Sequence, residues 1–256
     1  MYKIDLNCDL GESFGTYTIG SDKDIIPYIS SANVACGYHA SDPVVMEETV
    51  AMAAKYGVAV GAHPGFPDLM GFGRRQMMIT PAEAKAYVMY QIGALSAFCT
   101  AAGIKLQHVK PHGALYNMAG KDYALAKAIC EGIKAVDETL IMSVLSGSQM
   151  QKAATDMGLK YAREVFADRG YQADGSLVPR GQAGAMITEE EEAISRVIRM
   201  IKEHKVTAVD GTDVDIVPDT VCVHGDGEKA ILFVKKLGEA FKREGIEMAP
   251  LRDIIL

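Results

Sequence analysis

Short runs rich in β-branched and other apolar residues alternate along the chain with longer amphipathic segments. The short runs are KIDLNCD, SSANVACG, VAVGA, KLQHVK, TLIMSVLS, LKYAREVFA and TVCVHG, and each precedes a segment of helical periodicity. This alternation predicts a parallel sheet with crossover helices. Helix starts are marked locally. Ser41 or Asp42 caps a helix with Pro43 at its first position, and Thr80, Pro81 and Glu83 form a capping box for a helix that stops at Gly103. KVTAVDGTDVDIV reads as a small hairpin insertion near 205–217, turning on Asp210-Gly211, and IEMAPL as an eighth strand or a closing tail. No linker or low-complexity stretch divides the chain, so residues 1–256 are expected to form one domain. Periodicity does not separate a closed barrel from an open doubly wound sheet. Seven strand–helix units in 256 residues favour the closed β/α barrel.

Composition narrows the partners. Hydrophobic residues make up 49% and charged residues 23%, the balance of a globular protein, and the net charge is −7 with no dense Lys/Arg block. Nucleic acid and anionic membrane surfaces are therefore not expected as partners. The chain begins in a strand with no apolar leader, and no apolar run is long enough to span a bilayer. The five cysteines are scattered without a C-x-x-C pair, which suits reduced thiols in a cytoplasmic protein.

Polar side chains cluster at the ends of the predicted strands, where β/α barrels carry their catalytic groups. The first strand gives Asp5, Asn7, Asp9 and then Glu12, the first three on one side of the strand and so inside a barrel wall. His39 and His63 end the next two strands. With Asp9 they suit a metal triad or metal-free acid–base chemistry, and their spacing does not decide between the two. Lys110 and His112 follow the fourth strand, placed to stabilise an oxyanion and to carry a proton; Lys110 is equally suited to a structural ion pair with Asp9. The long loop HPGFPDLMGFGRR brings Arg74 and Arg75, and ADRGYQADGSLVPRG brings Asp168, Arg169 and Arg180, cations fitted to a carboxylate or phosphate. His224 and Asp226 close the last strand. No G-x-x-x-x-G-K-[ST], G-x-G-x-x-G or G-x-S-x-G motif occurs, so no nucleotide loop or serine-hydrolase elbow is expected.

The strings DLNCDLGESFG, SANVACGYHASDP, GAHPGFPDLMGFGRR, VKPHGALYN, FADRGY with LVPRG, and CVHGD together resemble the LamB/YcsF family, the A subunits of bacterial ATP-dependent 5-oxoprolinases. The resemblance implies an α/β fold, a deformed seven-stranded parallel β/α (TIM-like) barrel of the glycoside hydrolase/deacetylase type. It implies opening of the 5-oxoproline (pyroglutamate) lactam to glutamate with ATP cleaved to ADP and phosphate, in a complex with two further subunits, B and C. ATP would be used through that complex. Asp9 or Glu12 is then the expected base, Lys110 with Arg75 or Arg169 the cationic clamp, and His112 or His63 the acid. Asn7, Arg74, Asp168 and Arg180 would bind the substrate, and His39, His224 and Asp226 would stand at the same site and orient the other groups. Whether a divalent metal joins the strand-end cluster stays open. The rival expectations are a stand-alone metal-dependent deacetylase or amidohydrolase and a non-catalytic ligand-binding barrel.

Overall fold

The computed structural model describes residues 2–223 and 228–255, apart from the side chains of 228–230. Strands and helices follow in the order β1 (Tyr2–Leu10), α1 (Asp22–Ile25), β2 (Ser31–Ala35), α2 (Pro43–Tyr56), β3 (Ala59–His63), α3 (Pro81–Ala101), β4 (Leu106–Val109), α4 (Gly113–Ala119) and α5 (Tyr123–Val136). Then come β5 (Ile141–Leu145), α6 (Gln149–Asp156), β6 (Tyr161–Phe166), α7 (Glu190–Glu203), β7 (Lys205–Thr207), β8 (Asp213–Asp215), β9 (Thr220–Val223), α8 (Glu228–Arg243) and β10 (Ile246–Met248).

Strands β1 to β6 and β9 pair in parallel, and the β1–β9 pairing closes them into a seven-stranded barrel. IEMAPL supplies β10, which pairs outside the ring with the first residues of β1. The expected hairpin is β7–β8, antiparallel and separate from the barrel. The caps form as the sequence reads: the Asp42 side chain accepts from the amides of Val44 and Val45, and Thr80 and Glu83 make a reciprocal capping box.

Both faces of the barrel strands are buried, but they differ in chemistry. On β1, Ile4, Leu6 and Cys8 join the apolar core, while Asp5, Asn7 and Asp9 point inward. Polar groups withdrawn from water must be paired. The lowest layer does so through Asp5, which accepts from the hydroxyls of Ser30 (2.7 Å), Ser31 (2.6 Å) and Thr220 (2.5 Å). In the middle layer Asn7 donates to Thr220 Oγ1 and Glu164, and accepts from Asn33 at 2.7 Å. His108 donates from Nε2 to Asn33 Oδ1 at 2.7 Å and accepts from Gln107 at Nδ1, so both ring nitrogens are satisfied in the neutral form. Burial, then the nearby Lys110 and His63, lower its pKa to about 3. Gly61 makes room for this ring, since a Cβ there would sit 2.1 Å from His108 Nε2.

Candidate active site

At the upper layer Lys110 is the hub. Its Nζ lies 3.0 Å from Asp9 Oδ1, 2.9 Å from Glu164 Oε1 and 3.0 Å from Cys222 Sγ, with 4% of the side chain exposed. Burial alone would lower its pKa, yet Asp9, Cys222 and Glu164 together raise it well above the usual lysine value. The lysine is therefore a fixed cation at neutral pH. Desolvation pushes the Cys222 thiol well above its ordinary range, which makes it a neutral partner rather than a nucleophile.

Beside this hub three imidazoles gather. His39 and His112 stack in parallel with ring centres 3.7 Å apart, and His63 meets both edge-on. Glu12 Oε1 lies 3.1 Å from His39 Nε2 and 3.6 Å from His112 Nδ1, while Asp9 Oδ2 lies 3.3 Å from His63 Nε2. Desolvation, reinforced by the neighbouring rings, drives the pKa values of His39 and His112 well below that of free imidazole. The ligating atoms of Glu12, His39, His63 and His112 all lie within 4.8 Å of one another, the only such cluster of potential metal-binding groups found among the described residues.

The loop after β3 is folded onto these rings. The backbone amide of His112 donates to the carbonyl of Pro64, and that of Ala114 to the carbonyl of Gly73. Gly73 has φ of +62°, and a Cβ there would lie 2.7 Å from His39 Cβ and 2.8 Å from His112 Cδ2. Only glycine allows both that conformation and that approach.

Above the cluster opens a cavity of about 870 Å³. Asp9, Glu12, His63, Lys110 and His112 lie in its wall, so all five expected catalytic residues meet in one place. Of the expected substrate-binding residues, Arg74, Arg169 and Arg180 also line it. Arg74 sits over the Phe72 ring. Arg169 donates from its guanidinium to the carbonyls of Val178 and Ala185, so it also pins the loop after β6.

Four of the residues expected at the substrate lie away from the cavity wall. Asn7 lies beneath the cavity, buried among Asn33, Glu164 and Thr220, where it supports Lys110 rather than meeting a ligand. His39 is fully buried behind His112 and does not reach the cavity wall. Arg75 turns outward to Asp68 in a salt bridge, which removes it from any clamp. Asp168 is half-buried and does not line the cavity. His224 and Asp226 lie outside the described residues.

Glu164, His108 and the short helix α4 were not anticipated. Glu164 carries a signal that is visible afterwards: it is a charged residue in the middle of a strand, in period with Phe166. His108 stands likewise inside an apolar strand. Helix α4 begins at His112, whose side chain makes no capping hydrogen bond, so the usual polar start is absent.

The LamB/YcsF family model matches residues 4–255. The chain is 65% identical over 254 residues to the A subunit of 5-oxoprolinase from Clostridium beijerinckii, covering 99% of this chain and 100% of that protein. It is similar to the crystal structure of the lactam utilization protein from Thermus thermophilus, at 47% identity and a TM-score of 0.92, over 96% of this chain and 99% of that one. A family 4 carbohydrate esterase from Streptomyces lividans, at 10% identity and a TM-score of 0.52 over 99% of this chain and 96% of that one, shares the fold alone.

Proposed function

Since the chain belongs to the LamB/YcsF family, we propose that it is the lactam-opening subunit of a multi-subunit 5-oxoprolinase. The observation that carries this reading is its near-full-length similarity to the A subunit of 5-oxoprolinase from Clostridium beijerinckii. The site suits the chemistry. Opening 5-oxoproline adds a water oxygen to the ring carbonyl carbon, breaks the C–N bond, and delivers a proton to the departing nitrogen. The products are the amine and carboxylate of glutamate.

A five-membered lactam is a resonance-stabilised amide, and transfer of a phosphoryl group from ATP to its oxygen, with release of ADP, would make the carbon electrophilic. One water then opens the ring, and a second frees phosphate from the acyl phosphate that results. With no phosphate loop in the sequence, we assign the phosphoryl transfer to partner subunits of the B and C type. Within this chain Asp9 or Glu12 is the base for water. Lys110 stabilises negative charge developing on oxygen, and the proton that the base takes from water is returned to the departing nitrogen. Arg74, Arg169 and Arg180 face the carboxylate or phosphoryl group from the cavity wall. A desolvated, preorganised set of charges is worth more here than in water, because no solvent must reorganise as charge moves.

The decisive experiment measures glutamate, ADP and phosphate from 5-oxoproline with the purified chain alone, with B- and C-type subunits, and with each omitted. Glutamate formed only in the full mixture, matched by ADP, is the expected result. Ring opening by the isolated chain without ATP would replace this reading with a stand-alone amidohydrolase. Binding of 5-oxoproline without turnover in the full mixture would leave a ligand-binding barrel.

A further inference from the structure

The orientations of His63 and His112 are set from outside the cluster. Nδ1 of His63 lies 2.7 Å from the carbonyl oxygen of Lys110, and Nε2 of His112 lies 2.8 Å from that of Phe72. A carbonyl only accepts, so each of these nitrogens carries its ring's proton. The opposite nitrogens, His63 Nε2 and His112 Nδ1, are left with lone pairs, and they face each other at 2.9 Å. Asp9 Oδ2 approaches the first to 3.3 Å and Glu12 Oε1 the second to 3.6 Å.

His63 Nε2 and His112 Nδ1 thus converge with no hydrogen between them, and the two carboxylates stand close by. A positive charge must sit there. One added proton can bridge only two of these atoms, whereas a metal ion can meet all of them at once. Lys110 does not supply the charge, because its ammonium is engaged by Asp9 Oδ1, Glu164 and Cys222 on the other side.

We propose that Glu12, His39, His63 and His112 hold one divalent first-row transition-metal ion, such as zinc, manganese or iron(II). Three imidazoles and one carboxylate suit that class, whereas magnesium and calcium favour all-oxygen sites. Donors about 2.1 Å from a common ion stand roughly 3.0–3.4 Å apart. Three of the six separations here are 2.9 Å between His63 and His112, 3.1 Å between His39 and Glu12, and 3.6 Å between His112 and Glu12, and all four ligating atoms lie within 4.8 Å of one another, so small side-chain shifts would draw the set around one ion. The carbonyls of Lys110 and Phe72 are the outer partners that fix the tautomers of metal-binding histidines. Because Glu12, His63 and His112 border the cavity, the ion keeps a face open to it, as catalytic rather than purely structural ions do. Ion binding stands independently of the lactam reading.

The test uses the full chain, stripped with chelator and then dialysed separately against zinc, manganese or anaerobic iron(II) before desalting. Elemental analysis should find about one equivalent of at least one of these metals per chain. Affinity for that metal should fall roughly tenfold or more in His63→Gln and His112→Gln, with far-UV circular dichroism unchanged. As a readout independent of those variants, a cobalt(II)-loaded wild type should show visible d–d absorption that changes in Glu12→Gln. Less than about a tenth of an equivalent of every metal in folded wild type, or equal retention in the histidine variants, would overturn the proposal. Stoichiometric metal with no glutamate from the reconstituted mixture would instead leave the ion site standing and remove the proposed function.

Discussion

Replacing Lys110 with methionine strips the one ammonium from between two buried carboxylates while keeping most of the side-chain volume. In the wild type that ammonium contacts Asp9 and Glu164 at 3.0 and 2.9 Å with almost no solvent access. Its raised folded pKa means that its stabilising contribution is complete below the unfolded lysine value, about 10.4, and is lost only as pH rises through the folded value. At neutral pH the full contribution is therefore at stake. Removing one partner of a buried pair costs about 3–5 kcal/mol, mainly because the other charge is left unpaired. A chain of this size loses about 2–4 °C per kcal/mol, so Tm should drop by about 6–20 °C.

Acid should partly rescue the variant. A stranded carboxylate is relieved by protonation, so the gap to wild type should narrow as the pH is lowered. Lys110→Met combined with Glu164→Gln removes one stranded charge and should recover at least half of the loss. Calorimetry or circular-dichroism melts of the three proteins between about pH 5 and pH 8 would decide. A Tm within about 2 °C of wild type, or a gap that widens in acid, would refute the view that Lys110 is the electrostatic hub of the barrel.

In the reconstituted enzyme, His112→Gln should lower kcat by about 10²–10⁴-fold with unchanged circular dichroism, and full activity would remove this ring from the chemistry. Asp5 is held at about 6 by burial, aided by Glu164 and opposed by the hydroxyls of Ser31, Thr220 and Ser30. A folded pKa above the ordinary 3.8 makes its contribution complete in acid and lost as pH rises through about 6. Asp5→Asn should therefore remove about 3 kcal/mol of pH dependence between about pH 4 and pH 6, and parallel stability curves would contradict the assignment. Gly73→Ala combines positive φ with a clash on two imidazoles, so it should cost about 1–3 kcal/mol and impair turnover in the same assay. Arg75→Ala should leave kcat and KM within about twofold of wild type, since its guanidinium is committed to Asp68; a large rise in KM would return it to the site.

Legibility differed sharply between elements. Asp42 before Pro43, and Thr80 with Glu83, mark helix starts by hydrogen bonds made within a few residues, and both form as read. Helix α4 lacks such a cap and has no comparable local mark. Arg74 and Arg75 are neighbours of the same type, and nothing local tells them apart. Their roles diverge because Asp68, brought close by the turn at 69–71, captures Arg75. Glu164 and His108 sit in strands whose polar and apolar residues do not alternate cleanly, LQHV and YAREVF, so the pattern does not mark which side points inward.

Local pattern was enough to dictate the alternation of strands and helices, the parallel sheet, and the gathering of Asp9, His63, Lys110 and His112 at one end of it. Each depends on interactions of short range or on the two-residue period of a strand. Closure of the ring between β1 and β9 set the depth of each side chain. It placed Asn7 below the cavity and His39 behind His112, and it brought Glu164 to a lysine on a strand two positions earlier in the ring. Those relations follow from strand register and burial; there Asp9, Cys222 and Glu164 hold Lys110 charged against its desolvation, while desolvation keeps His39 and His112 neutral. Desolvation and Coulomb energy depend on distances in space, which only the packed barrel supplies.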